Sequence, residues 1–280
     1  MSSLVVQVPA DGPTRAVEIR GRRMVVDAGR FGKYWDKVAG GTWEPATFTA
    51  FDSLIEPGGT VVDVGAWIGV TALYAAHTAG RVIAFEPDPE ALPILKRNLA
   101  LNPELAARIE LHEAALGTGD GTAALYNNSP GDSGTSLRPV FGYKKTAEQR
   151  HFAEAATIDG RRFLEGLDLA QVSLLKIDIE GGEYELIPHL APWLGRHRPS
   201  LHLSLHPFNL VGSGSAEEDE LRQRRATARL IEALAGYRYV WRETGGGSWE
   251  CHAGTDWLME RPRCEGSLGG ALVFSERGMA

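Results

Sequence analysis

A doubly wound α/β fold on a mostly parallel sheet is the architecture this sequence predicts, and three observations carry the prediction. Short apolar runs of strand length alternate with longer helical segments from about residue 60 onward. Glycines bracket the turn that leaves the first of these runs, as in a βα unit that holds a ligand at its strand end. Neither internal repeats nor a low-complexity linker divides the chain, so one domain accounts for the core.

The elements follow in order. TVVDVG (60–65) is the first strand and VTALYAAHTA the helix after it. RVIAFE (81–86) precedes a helix through ALPILKRNLALN. RIELHEAAL (108–116), VSLLKIDIE (172–180) and SLHLSLHP (200–207) read as the third, fourth and fifth strands. AEEDELRQRRATARLIEALAG (216–236) is amphipathic, with acids in the first turn where they favour the helix dipole. YRYVW (237–241) and ALVFSE (271–276) close the sheet. Residues 1–50 form an N-terminal extension or cap, with strand signals in VEIRGRRMVV and an aromatic cluster of Phe31, Tyr34, Trp35 and Trp43. Residues 51–280 form the main domain, interrupted by two insertions rich in turn formers or aromatics, 127–150 and 242–270.

Composition removes several classes of function. Of the 280 residues 43% are hydrophobic and 23% charged, the ordinary balance of a globular chain. A formal net charge of −7 argues against a nucleic-acid groove, which would carry a basic stripe. No apolar run reaches the roughly 20 residues that span a bilayer, and the N-terminus lacks the pattern of a signal peptide. The expected location is cytoplasmic, where the two cysteines, Cys251 and Cys264, are more often reduced than paired. Oligomeric state is open, with a homodimer among the alternatives.

The strand ends carry the chemistry. In VVDVGAWIG, Asp63, Gly65 and Gly69 frame a turn where main chain can approach a nucleotide-type ligand and a helix offers unpaired N–H groups. The spacing is not the GxGxxG of dinucleotide-binding folds, which disfavours NAD. Glu86 ends the second strand about 20 residues further on, where an acid can accept both hydroxyls of a ribose. Together these favour S-adenosyl-L-methionine. The small residues of EAALG (113–117) could let an adenine lie flat, with Glu113 accepting from its amino group.

In this order and spacing, DVGAWIG, FEPDP, LNP, EAALG, GDSGTSL and KIDIEGGE resemble the FkbM-family methyltransferases over roughly residues 41–190. The resemblance implies a Rossmann-like class I fold, with a seven-stranded sheet whose last strand is antiparallel. It also implies dependence on S-adenosyl-L-methionine, with O-methylation of a small-molecule hydroxyl (natural product, sugar or lipid) as the commonest reaction. By the match, Asp63, Gly65, Ala66 and Gly69 fall on the cofactor loop, Glu86 on the ribose acid, and Glu113 and Ala114 on the adenine wall. Glu44 in GGTWEP sits where the family often has an aromatic–Glu pair, which implies contact with the methionine end. Gly182 departs from the family, which often carries a bulkier residue there, and so leaves the substrate open.

Two strands raise a question that apolar patterning does not answer. In LLKIDIEGGE, Lys176, Asp178 and Glu180 alternate with Leu175, Ile177 and Ile179; in the fifth strand His202, Ser204 and His206 alternate with leucines. If the strands are neighbours, these polar faces form one surface near the ligand edge, and buried groups of this kind must satisfy one another or a ligand. Lys176 reads as an ion-pair partner. Asp178, His206 and His202 are the candidate catalytic residues, with Asp178 also a candidate anchor for the cofactor ammonium. A histidine near its ordinary pKa of about 6.5 could serve as base at neutral pH. A divalent metal is a further alternative, not favoured, because no compact ligand motif is present. Nitrogen or carboxylate acceptors, and cofactor binding without turnover, stay open.

Overall fold

The computed structural model describes residues 12–137, 150–168, 171–210, 215–252, 254–255 and 271–279. The chain begins with a hairpin of β1 (Thr14–Ile19) and β2 (Arg22–Asp27). Its two-residue turn, Arg20–Gly21, has positive φ at both positions, as strand twist demands of a tight hairpin. Helices α1 (Gly32–Ala39) and α2 (Pro45–Leu54) follow. Then come β3 (Thr60–Val64), α3 (Val70–Ala75), β4 (Arg81–Phe85), α4 (Leu92–Ala100), α5 (Pro103–Ala106) and β5 (Ile109–His112). A second group holds β6 (Ala115–Gly117), β7 (Gly121–Tyr126), β8 (His151–Asp159) and α6 (Gly160–Glu165). The last comprises β9 (Val172–Ile177), α7 (Glu183–His197), β10 (Ser200–Ser204), α8 (Ala216–Leu234), β11 (Tyr239–Gly245), β12 (Ser248–His252) and β13 (Ala271–Ser275).

The main sheet has the order β12-β11-β13-β10-β9-β3-β4-β5. Strands β10, β9, β3, β4 and β5 are parallel, and β13 enters antiparallel between β10 and β11. Among the described residues the sheet thus has eight strands where seven were expected; seven coincide with expected apolar runs, though some of those end early, and the antiparallel last strand is the one the family resemblance implies. The eighth, β12, extends the edge: the expected insertion at 242 begins as a continuation of β11 that folds back after Gly245–Gly247. Strand order reverses beside β3, and ligands of open α/β sheets bind at the carboxyl ends there.

Strand alternation sorts side chains to the two faces. Val62, Val64, Leu175, Ile177, Leu201 and Leu203 join the core under α6–α8. Val61, Leu174 and Val273 join the other core, with Trp35, Phe48 and Phe51 of α1 and α2. Residue 50, where the extension was expected to end, therefore lies inside α2 and within a core shared with the sheet.

Two strand expectations need correction. RIELHEAAL is not one strand: the chain bends at Glu113–Ala114, leaving β5 as a half-exposed edge while fully buried β6 pairs with β8 in a separate sheet of order β6-β8-β7. The fourth strand ends at Ile177, so Asp178 and Glu180 project from a loop in which Glu180 and Gly181 have φ of 53° and 99°. The pairing of Cys251 with Cys264, and insertion residues 138–149 and 256–270, lie outside the described residues.

Candidate active site

The loop after β3 is built by backbone constraint. Gly65 has φ of 83°, and a Cβ there would lie 2.0 Å from the carbonyl oxygen of Asp178, so only glycine fits between the β3 and β9 ends. The N–H groups of Gly65 and Ala66 both donate to the Phe85 carbonyl, at 3.0 Å each. Gly69, with φ of 90°, opens α3. Asp63 is fully buried; its Oδ2 accepts from the Thr71 hydroxyl at 2.7 Å and its Oδ1 lies 3.1 Å from Lys176 Nζ. Lys176 also donates to the Gly65 carbonyl at 2.7 Å. Burial works against its charge, but Asp63 and Asp178 outweigh burial and hold the ammonium above its ordinary value.

These residues edge one long cleft over the carboxyl ends of β3, β4, β9 and β10. Its first part, about 580 Å³, is walled by Glu86, Ala114, Ala115, Leu116 and Leu125. Each oxygen of Glu86 accepts one backbone N–H, from Trp67 at 2.7 Å and from Asp88 at 2.8 Å. Burial nevertheless pushes its carboxyl up to about 7. The described part of the 127–150 insertion covers this half, tied down by Asp88, whose Oδ2 accepts from the Gly131 N–H at 2.9 Å and the Thr135 hydroxyl at 2.6 Å. The second part is wider, about 1290 Å³, and is lined by Trp43, Glu44, Lys176, His206, Phe208 and Glu243 among others. Gly65, Trp67, Ser133, Asp178 and Glu180 border both halves.

The aromatic cluster of the extension gathers round Trp67. Tyr34 meets Trp67, Trp43 and Trp35 edge to face at centroid distances of 4.6, 5.2 and 5.7 Å, and Phe31 meets Trp67 at 5.0 Å. Glu44, in the left-handed region at the head of α2, accepts from the Thr47 hydroxyl at 3.1 Å. Burial, then the nearby charge of Asp178, pushes Glu44 up to about 7.

His206 sits among carboxylates. Its Nδ1 is 2.9 Å from Glu183 Oε1, and its Nε2 is 3.6 Å from both Asp178 Oδ1 and Glu180 Oε1. Burial disfavours its charge, but Glu180, Glu183 and Asp178 prevail and hold the imidazolium up to about 10. These neighbours favour the imidazolium over the neutral imidazole that the expected base would need. Glu180 is pushed up to about 7, by burial first.

The structure brings Glu44, Asp63, Gly65, Ala66, Gly69, Glu86, Ala114, Asp178 and His206 to the cleft or its supporting loop, and leaves two expected residues outside. His202 is fully buried with its ring edge-on to Phe51 and Trp249, at 5.8 and 6.1 Å, and burial lowers its pKa to about 4. It packs beneath α2 against Phe51, two residues before β10 ends and outside both halves of the cleft. Glu113 sits at the bend after β5, half-exposed and paired with Lys96 at 2.7 Å, and does not line the adenine-sized wall. Sequence reasoning missed Trp67, Asp88, Glu183 and Asn209. Of these, Asp88 and Glu183 left a signal, as the second acid of FEPDP and the last of IEGGE.

Comparison with known proteins gives the family. A family model described as Methyltransferase FkbM domain matches residues 63–239. "Methyltransferase 1" of Beauveria bassiana (strain ARSEF 2860) is 28% identical over 142 residues, 45% of this chain and 56% of that protein. "Methyltransferase sdnD" of Sordaria araneosa is 32% identical over 155 residues, 45% of this chain and 58% of that protein. The matched stretch thus spans a little over half the length of these curated relatives. A crystal structure of Methyltransferase FkbM from Methylobacillus flagellatus KT superposes with a TM-score of 0.45 at 17% identity, covering 86% of this chain and 52% of that one. The domain match takes in β3 through the start of β11, well over half the chain and most of the cleft, and the chain belongs to the FkbM methyltransferase family.

Proposed function

We propose that the protein is an S-adenosyl-L-methionine-dependent O-methyltransferase acting on a hydroxyl of a small molecule. The observation that carries this reading is Glu86, a buried carboxylate at the end of β4 whose orientation is fixed by two backbone N–H groups. Each oxygen keeps a lone pair for one of two adjacent ribose hydroxyls. Ala114, Ala115 and Leu116 offer a flat apolar wall suited to a purine, while Glu44 and Asp178 bring negative charge toward the other end, where an ammonium and a sulfonium would be favoured. When bound, such a donor supplies a methyl group on positively charged sulfur, which leaves as a neutral thioether as the acceptor oxygen takes the methyl and passes its proton to water or to a carboxylate lining the cleft.

What the chain contributes is alignment and exclusion of water. Trp43 and Phe208 wall the wider half of the cleft and suit an organic acceptor, and holding donor and acceptor in line can supply roughly 7–11 kcal/mol of the barrier. The reading is tested by calorimetric titration with S-adenosylhomocysteine, with NAD as control. Binding of the first and not the second is expected, and Glu86→Gln should weaken it by roughly tenfold or more, about 1.4 kcal/mol per decade. A Glu86→Gln protein that binds as tightly as the wild type would remove the ribose assignment.

A further inference from the structure

We infer that Asp178, Glu180 and the Nε2 of His206, with Glu183 holding the imidazole from behind, form a binding site for a divalent transition-metal ion in the wider half of the cleft. Asp178, Glu183 and His206 each offer a ligand atom within 4.8 Å of the other two. The 3.6 Å that separates His206 Nε2 from Asp178 Oδ1 and from Glu180 Oε1 is too long for a hydrogen bond, so the imidazole stands between these carboxylates without being bonded to either. Only Glu183 holds it, through Nδ1 at 2.9 Å, the carboxylate–histidine arrangement that orients a ring whose other nitrogen binds a metal.

Charge gives an independent reason. Three acidic side chains gather round one imidazole, and they are only 23% (Asp178), 18% (Glu180) and 0% (Glu183) exposed, with His206 at 14%. The nearest lysine, Lys176, is turned to the sheet: it lies 3.1 Å from Asp63 and donates to the Gly65 carbonyl at 2.7 Å, and it reaches Asp178 only at 4.0 Å. Carboxylates this far out of water are costly without a counter-charge, and a divalent cation supplies it.

The frame is also held for the purpose. Glu183 accepts the N–H groups of Ile179 and Gly181, both at 2.8 Å, which curls the 178–183 loop around the imidazole. Asn209 Nδ2 donates to the Glu180 carbonyl and carboxylate at 3.1 and 2.9 Å, fixing a side chain that departs from left-handed backbone. One imidazole with carboxylates suits Mn²⁺ or Zn²⁺ better than Mg²⁺ or Ca²⁺. Donors about 2.0–2.2 Å from one ion stand roughly 2.8–3.6 Å apart, so the two pairs now at 3.6 Å need only a small closure. The ion's role rests on the proposed function: it would coordinate the acceptor hydroxyl and lower the pKa of its proton.

The test uses the full chain, freed of metal by chelation and titrated with Mn²⁺ alone under electron paramagnetic resonance, with Zn²⁺ as competitor. One equivalent should bind more tightly than about 1 mM. Pulsed spectra should show coupling to an imidazole nitrogen that His206→Asn removes, and Asp178→Asn and Glu180→Gln should each weaken binding by about 10–100-fold. Absence of saturable Mn²⁺ binding would overturn the site. Binding by the wild-type protein without nitrogen coupling would overturn it equally, whatever the folding of the variants. The donor reading is separable, because it is scored by S-adenosylhomocysteine binding to the metal-free protein.

Discussion

Replacing Lys176 with methionine isolates what the buried ion pair does for the fold. Asp63 is fully buried, and its two oxygens face the Thr71 hydroxyl and Lys176 alone among the described contacts. Methionine keeps the side-chain bulk and removes the charge, so Asp63 is left in the interior without its counter-charge. Breaking a buried pair from one side costs about 3–5 kcal/mol. At about 2–4 °C per kcal/mol for a protein of this size class, the melting temperature should fall by roughly 6–20 °C. Asp63→Asn with Lys176→Met removes both charges and should recover most of the loss, apart from the Gly65 carbonyl, which forfeits its Lys176 donor and about 1–3 kcal/mol with it. Urea unfolding of wild type, both single variants and the double variant closes a double-mutant cycle. A single substitution costing under about 1 kcal/mol, or a double variant no more stable than Lys176→Met, would refute the pairing as the reason these charges are tolerated.

Two further outcomes follow from the same strand ends. Gly65→Ala must place a methyl 2.0 Å from a backbone oxygen at a φ that costs about 1–2 kcal/mol by itself, so it should lower the melting temperature and abolish S-adenosylhomocysteine binding; wild-type values for both in thermal-shift and calorimetric assays would contradict the fit. Burial raises the Glu86 carboxyl from 4.5 to about 7, so its stabilising share is full below about pH 4.5 and is lost as pH rises through 7, while the ionised form that ribose hydroxyls prefer grows over the same range. Affinity for S-adenosylhomocysteine should therefore increase by roughly tenfold from pH 6 to 8 as the ligand-free protein loses stability, and a Glu86→Gln protein showing the same pH dependence of affinity would assign it elsewhere.

The parallel strands were legible because each is a short apolar run that a buried strand requires, and Gly65 was legible because its turn leaves a strand for a helix. What sequence could not supply was direction and neighbourhood. Asp178 and Glu180 alternate in letters with Ile177 and Ile179, yet the strand stops between them, and only the φ of Glu180 and Gly181 shows that the alternation becomes a loop. His202 and His206 look equivalent by spacing; one faces Phe51 under α2 and the other faces three carboxylates, because β10 ends at Ser204. Glu113 was misplaced by a bend that the apolar content of EAAL conceals.

Register explains the polar face itself. Asp63 stands opposite Lys176 across β3 and β9, and Lys176 stands opposite His202 across β9 and β10, so the three form one row through the middle of the sheet at the point where strand order reverses. A row of leucines would pack there but could not reach the Gly65 carbonyl or the Thr71 hydroxyl, the two contacts that tie the β3 loop and α3 to the strand ends. The charges below the cleft thus hold its floor in shape, while the charges above it, Asp178, Glu180 and Glu44, stay partly exposed to whatever occupies the cleft. That division assigns Lys176 and Asp63 to positioning. It leaves binding and chemistry to residues that begin where the strands end.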